Sequence, residues 1–267
     1  MITSLHSPHI EAVRALLGSR GVKARRELQS YVIESVSSIQ EAFHHAPSLM
    51  KTLYITESGR ERLGPIDTGK TDVFDVSPEV MAAMTDTVTP QGILAIAQIP
   101  QNSVAGFFAG KRSAVKVAYF WEIQDPGNAG TVMRAADAFG FDAVIFSTNS
   151  VDAYSPKVVR ASAGSLWHIP IFEAVSIKEI RELADESGAS IYATDADANR
   201  DLSSAVNEAS SASSIWVFGN EARGLPNEIS EILGAKKVAI PIAGKAESLN
   251  LATAASVVMY AVSTARK

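Results

Sequence analysis

No cysteine occurs in the 267 residues, which removes disulfides, thiol catalysis and thiolate metal sites together. The five histidines (His6, His9, His44, His45 and His168) show no zinc-type spacing. No run of acidic residues accompanies them, so no metal is expected. Long hydrophobic runs are missing as well. The longest near the end, Leu251 to Val262, is too short to span a bilayer and is broken by Thr253 and Ser256. The amino terminus lacks the basic-then-apolar pattern of a secretory signal. The expectation is a cytoplasmic protein without a membrane partner. No Gly-x-Gly-x-x-Gly follows a strand-like run and no Walker-type Gly-Lys-Ser/Thr is present, which disfavours a dinucleotide-dependent dehydrogenase. His168 has no Ser-centred elbow to serve, so a hydrolase triad lacks its nucleophile. There is no internal repeat.

What remains is a globular composition, 46% hydrophobic and 20% charged, with enough apolar residues for one large domain or two ordinary ones. A net charge of −5 argues against an indiscriminate polyanion binder, yet Arg14, Arg20, Lys23, Arg25 and Arg26 form a run with no acidic residue among them. That run is either a solvated surface or a patch for phosphates. Short helices and strands alternate from His9 to about Gln98. Helical spacing falls at His9–Leu17 and Ser37–Ala46, and strand-like runs at Leu28–Ile33, Thr52–Ile55, Asp72–Val76 and Gly92–Gln98. Residues 99–114 have loop composition apart from Phe107 and Phe108 and are expected to link two domains, 1–98 and 115–267. A second α/β rhythm begins at Val115. Strands are expected at Val115–Trp121, Ala143–Ser147, Ile191–Thr194, Ile215–Phe218 and Val238–Pro241. Helices are expected after Asn128 and Ser155 and near Ser176–Ser187, Pro226–Leu233 and Leu249–Ala265. Such alternation implies a parallel sheet covered on both faces. Asn207–Ser214 is expected to be a surface connector.

Three loops of the second half carry the chemistry: Asp125–Arg134, Phe218–Pro226 and Ile240–Asn250. Each follows a strand-like run and precedes a helix, which suggests one composite ligand site at the carboxyl ends of the sheet. Asn128 opens a helix whose free amides can hold a polar ligand. Arg134 is expected within the first turns of that helix, where its charge opposes the macrodipole. Gly219 and Gly224 allow close backbone approach. Glu221 is either a cap for the helix near Pro226 or a site residue, and Ser248 has the character of an N-cap. Asn250 would then fall inside the first helical turn, where Asn is intrinsically poor.

In this order and spacing, the motifs resemble the SpoU (TrmH) family of S-adenosylmethionine-dependent RNA 2′-O-ribose methyltransferases. The matching stretches are Asn128–Gly140, Val217–Leu225 and Ile240–Ala254, with Ser155–Ser165 similar to a further family stretch. Lys23–Glu34 and Val76–Ile96 look like the family's amino-terminal, ribosomal-protein-like RNA substrate-binding domain. The resemblance implies an α/β architecture with a smaller amino-terminal domain and a parallel-sheet SPOUT domain closed by a deep trefoil knot, an exception to the no-knot rule. It implies a homodimer with its active site at the subunit interface. It implies S-adenosylmethionine held near Gly219, Asn220, Ile240, Ile242 and Leu249, and catalysis by Arg134 supported by Asn128, Glu221, Asn250 and Ser248. Lys23, Arg25 and Arg26 would contact RNA. The amino-terminal domain favours ribosomal RNA, 23S in particular. A transfer RNA substrate, or a ribosome-assembly factor that keeps the fold without turnover, is the alternative. A guanidinium stays protonated at ordinary pH, so a bidentate grip on the phosphate beside the target ribose suits Arg134 better than a simple base role.

Overall fold

A computed structural model describes residues 1–18, 21–110, 113–210 and 212–265. Arg20 of the basic run therefore lies outside the described residues. The chain divides into two compact units, Met1–Gln101 with Tyr154–His168, and Asn102–Ala153 with Ile169–Lys267.

The first unit holds a four-stranded sheet in the order β1-β4-β2-β3, built from β1 (Ser30–Ile33), β2 (Met50–Ile55), β3 (Asp72–Asp75) and β4 (Ile93–Gln98). β4 runs antiparallel to both neighbours and β3 parallel to β2. Five helices interleave with these strands: α1 (Pro8–Leu16), α2 (Gly21–Leu28), α3 (Val36–His45), α4 (Glu57–Leu63) and α5 (Pro78–Met84). Ile10, Val13, Leu16, Val80, Met81 and Met84 from α1 and α5 pack on Val32, Tyr54 and Leu94 of the sheet. Leu28, expected to open a strand, ends α2 instead and is exposed. Gln29 then turns the chain with a φ of 47°.

The segment Tyr154–His168 belongs to this unit although it lies between two strands of the other. The physical reason is its own burial. Tyr154, Val158 and Val159 are almost wholly covered, the Tyr154 ring lies 4.9 Å from that of Tyr31, and Trp167 Nε1 donates to the Tyr31 hydroxyl at 2.9 Å. Arg160 reaches Glu34 at 2.6 Å, and that buried carboxylate also accepts from Thr85 and Thr87. A buried charge so fully paired is costly to break from one side. The compact units thus differ from the expected division into 1–98 and 115–267 by this one segment.

The second unit is a six-stranded, all-parallel sheet in the order β10-β8-β9-β5-β6-β7. After α6 (Val104–Ala109) come β5 (Lys116–Phe120), α7 (Pro126–Ala138), β6 (Ala143–Ser147) and, with the first unit, α8 (Pro156–Ser162). The chain continues through β7 (Ile171–Val175), α9 (Ile177–Ser187), β8 (Ser190–Thr194), α10 (Leu202–Ala209) and β9 (Ser214–Phe218). It closes with α11 (Asn227–Leu233), β10 (Lys236–Val238) and α12 (Leu251–Thr264). β5, β6 and β9 are buried along their whole length, as strands covered on both faces must be. Four features differ from the sequence expectation, the first being that β10 covers Lys236–Val238 rather than Val238–Pro241. The expected linker carries α6, capped by Ser103 and anchored by buried Phe108. The expected connector begins inside α10, whose N-cap is Asp201. β7 carries only a weak strand signal in the sequence, because its half-exposed Ile-Phe-Glu-Ala-Val lies at the sheet edge. Lys116, at the buried start of β5, donates to the Val262 carbonyl at 2.7 Å and ties α12 to the sheet. Among the described residues no helix is long and apolar enough to cross a membrane.

Candidate active site

The strand order sets the place of the site. From β5 the chain moves to β6 on one side, and from β9 it moves to β10 on the other. Between β5 and β9 the connections diverge, leaving a crevice beyond the strand ends where open α/β sheets hold their ligands. A cavity of about 420 Å³ opens there, lined by residues of all three loops: Gln124, Asp125 and Asn128, then Asn220 to Ala222, then Ser248 to Leu251.

Each loop is shaped locally. After β5, Asp125 caps α7, accepting from Asn128 N at 2.7 Å with Pro126 in the first helical turn. After β9, Asn220 and Gly224 exchange main-chain hydrogen bonds, 2.9 Å each way, and close a tight loop. The Asn220 side chain accepts from Ala222 N and Arg223 N and donates to the Glu122 carbonyl at 2.7 Å. Gly219 is required: a Cβ there would lie 2.3 Å from the carbonyl carbon of Gly224. The close backbone approach expected of this glycine is thus real. Arg223 stacks 5.2 Å from the centre of the Trp121 ring and pairs with Glu122.

Glu221 joins the first two loops. Its Oε1 accepts from Asp125 N at 3.0 Å, Gln124 N at 3.2 Å and Asn128 Nδ2 at 3.3 Å. It does not cap α11, whose N-cap is Pro226 without a side-chain bond. The third loop is tied on through Asn250, whose Nδ2 donates to Asn128 Oδ1 at 3.2 Å. Asn250 is itself the N-cap of α12, its Oδ1 accepting from Ala252 N and Thr253 N. This corrects the expectation that Ser248 caps and Asn250 lies in the first turn. One asparagine thus satisfies a helix end and bridges to another loop at once.

Of the residues singled out in the sequence, Asn128, Asn220, Glu221, Ser248, Leu249 and Asn250 line the cavity. Gly219 lies buried behind it, and half-buried Ile240 and exposed Ile242 do not line it. Gln124 and Asp125 were missed as site residues; the Asp-Pro pair at a helix start was the available signal. Arg134 is not in the cavity either. It is the ninth of thirteen residues in α7, so the macrodipole argument does not apply to it. Six positions beyond Asn128, it lies roughly 120° around the helix and about 9 Å along it. It is exposed and, among the described residues, makes no hydrogen bond or ion pair.

In the first unit, Lys23 and Arg26 on α2 are exposed, Lys23 facing Glu27 at 3.7 Å. Arg25 is corrected. Only 1% of it is exposed, and its guanidinium donates to the Leu16 and Gly18 carbonyls. It holds the end of α1 in place and is unavailable to a phosphate. Glu41 joins His45 and His168 in space, a grouping that no spacing along the chain indicated.

A parallel α/β sheet with an amide-rich cavity at its switch point defines a class of small-ligand-binding enzyme folds, and comparison narrows the class. Residues 116–260 match the SpoU rRNA Methylase family, and residues 7–95 match the MRM3-like substrate binding domain. The 23S rRNA (guanosine(2553)-2′-O)-methyltransferase RlmP of Bacillus subtilis is 31% identical over 89% of this chain and 90% of its own. The AdoMet-bound rRNA methyltransferase from Sinorhizobium meliloti superposes with a TM-score of 0.83 at 27% identity, covering 98% of this chain and 96% of that one. The SpoU methyltransferase AviRb from Streptomyces viridochromogenes gives a TM-score of 0.82 at 26% identity, over 97% and 98% of the two chains. The chain belongs to the SpoU rRNA methylase family.

Proposed function

We propose that this protein is an S-adenosylmethionine-dependent methyltransferase acting on a ribose 2′-hydroxyl of RNA, with 23S ribosomal RNA as substrate. The observation that carries the reading is the chain of hydrogen bonds from Glu221 through Asn128 to Asn250, which fastens three loops around one cavity. The relatives with ribosomal RNA in their names match nearly the whole chain, which supports the substrate class.

The residues present fit the cofactor. The cavity volume falls in the range of about 300–1,000 Å³ typical of small-molecule sites. Its lining combines apolar Ala222, Leu249 and Leu251 with asparagine amides, and Gly219 lets two backbone segments approach behind it. S-adenosylmethionine supplies, when bound, a methyl group already activated by a positive sulfur. The protein's own task is to hold the hydroxyl in line with that methyl and to manage its proton. Alignment of this kind supplies much of a rate enhancement. Glu221 and Asn220 act as positioning residues, fixing the loops through main-chain amides. Asn128 and Asn250 present side-chain amides toward the bound ribose.

Arg134 serves as the grip on the phosphate beside that ribose. Facing away from its own cavity, it requires a second copy of the chain to meet the reacting groups. The reading therefore includes a homodimer; from the family resemblance it also takes a carboxyl-terminal segment threaded as a deep trefoil knot and a cytoplasmic location. Exposed Ile242, Leu249, Val257 and Tyr260 along the last loop and α12 are apolar surface that a second copy would cover. Mixing Arg134→Ala with Glu221→Ala protein, each strongly impaired alone, should raise activity in mixed dimers well above that of either variant. No recovery after subunit exchange would place both residues in one subunit's site. Arg134→Lys should be nearly as inactive as Arg134→Ala, with cofactor affinity little changed, because lysine keeps the charge and loses the planar fork.

The reading itself is tested by labelling. Purified protein with labelled S-adenosylmethionine should modify ribosomal RNA from a strain lacking this gene, at one mapped 2′-O-methyl site. Label on transfer RNA alone would replace the substrate. Cofactor or RNA binding without transfer would favour the assembly-factor role.

A further inference from the structure

Away from the cavity, the first unit gathers three metal-ligating side chains that sequence spacing did not join. Glu41 and His45 are four residues apart on α3 and share one face of that helix. His168 follows the 3-10 turn Ser165–Trp167. Glu41 Oε2 lies 3.3 Å from His45 Nε2 and 3.1 Å from His168 Nε2. The two imidazole rings stand 4.3 Å apart between centres, tilted by 64°. One ligand atom from each of the three residues falls within 4.8 Å of the others.

The surroundings hold this arrangement in place. Gly164 adopts a φ of +103°, and a Cβ there would come within 3.0 Å of Glu41 Cγ. Glycine at this point leaves the space that the carboxylate uses. Trp167, next to His168, is anchored by its bond to the Tyr31 hydroxyl. His168 N returns to the Ser165 carbonyl at 3.1 Å. On the α3 side, an open cavity of about 660 Å³ lined by Gln40, Glu41, His44, His45 and Asp67 gives an ion a path in.

We propose that Glu41, His45 and His168 bind one divalent transition-metal ion of the zinc class. In a tetrahedral site with ligands at about 2.0–2.1 Å, neighbouring ligand atoms are separated by about 3.3 Å. Both carboxylate–imidazole distances are already close to that edge, and all three ligand atoms lie within 4.8 Å of one another, so side-chain adjustment alone can admit the ion. Two imidazoles and one carboxylate suit zinc, cobalt or nickel. Magnesium and calcium, which prefer all-oxygen shells, fit poorly. Three protein ligands leave a fourth position for water. The ion would join α3 to the segment Tyr154–His168 across more than a hundred residues of intervening chain. It thereby closes a long loop in the first unit and adds to its stability.

The test uses untagged full-length protein, stripped with a chelator and titrated with Zn²⁺ by calorimetry in the presence of excess Mg²⁺. Co²⁺ as a second probe reports tetrahedral geometry through its visible absorption. One ion per chain is expected, with melting raised by about 5 °C at roughly 100 times the dissociation constant. His45→Gln, His168→Gln and Glu41→Gln should each weaken binding beyond about 100-fold, more than loss of an outer-shell partner costs. His6→Ala, a histidine outside the cluster, should leave binding unchanged. The variants' metal-free melting temperatures separate loss of the ion from loss of the fold, since glutamine keeps a hydrogen-bonding group at each position. Absence of saturable Zn²⁺ binding overturns the proposal. So does binding that survives in the His45→Gln/His168→Gln double variant.

Discussion

The two units place polar side chains by different means. In the second, every strand of the sheet runs the same way, so the loops after β5 and β9 emerge at one edge beside the start of α12. Residues as far apart as Asn128 and Asn250 are brought to hydrogen-bonding distance by topology. In the first unit the strands β1, β4 and β2 alternate in direction, and no single edge collects the loops. Its polar groups are ordered by helix periodicity, as with Glu41 and His45, or by burial, as with Glu34 and Arg160. A parallel sheet makes a composite cavity almost unavoidable. A mixed sheet offers no such common edge, so its polar groups meet only where helix spacing or packing brings them together.

The sharpest way to break this comparison is to separate the halves. A fragment beginning at residue 115 keeps the whole parallel sheet but exposes Tyr154, Val158 and Val159, which are buried in the intact first unit. It should aggregate, and size-exclusion chromatography of the purified fragment decides the matter. A well-behaved, soluble fragment would show that Tyr154–His168 can fold without residues 1–114. Next in size, Glu221→Ala and Asn250→Ala should each lower kcat by about 100-fold, the scale expected when reacting groups are misplaced by an ångström. Their melting temperatures should fall by no more than a few degrees, because both side chains are exposed and loss of the Asn250 cap costs only about 1 kcal/mol. Gross unfolding of Asn250→Ala would instead make its capping bonds the dominant role.

A smaller effect is expected in the first unit. Replacing Lys23 and Arg26 together by glutamine should weaken RNA binding and flatten its salt dependence, by about 0.7 in logarithmic slope for each lost contact to single-stranded RNA. An unchanged slope would return the basic run to the status of solvated surface.

The smallest effect is a shared one, at alkaline pH. Burial pushes the phenols of Tyr31 in the first unit and Tyr119 in the second well above their ordinary value of 10.0, outweighing the hydrogen bonds that favour ionisation. Below pH 10 both folded and unfolded chains hold these protons and the stability is fully present. As pH rises past 10 only the unfolded chain releases them, so stability falls, by about 1.4 kcal/mol per pH unit for each tyrosine. Thermal melts between pH 9 and 11 should show Tyr31→Phe and Tyr119→Phe each removing part of the decline. Equal slopes in wild type and both variants would rule out the buried phenols as its source.

Much of the second unit was legible because its signals are local. Continuous apolar strands, three polar loops of fixed order and an Asp-Pro helix start survive in the linear chain. The first unit was less so. α2, α4 and α5 are short, and Arg25 looks like any surface arginine until the carbonyls of Leu16 and Gly18 are seen around it. Glu41 and His45 carried a helical spacing that could have been noticed, but His168 lies far along the chain and no periodicity links it to them.

The sequence by itself determined the alternation of strand and helix, the position of the three loops and the family to which they belong. Each rests on interactions between near neighbours: side-chain alternation, helix capping and backbone freedom at glycine. Only the tertiary structure decided which strands lie side by side, and hence that Glu221 reaches across to Asp125 rather than capping its own helix. It alone withdrew Arg25 from the surface, left Arg134 outside the cavity lining and carried Tyr154–His168 into the first unit. Those outcomes depend on apolar burial and buried-charge pairing between residues distant in sequence, and such partners exist only once the chain has folded.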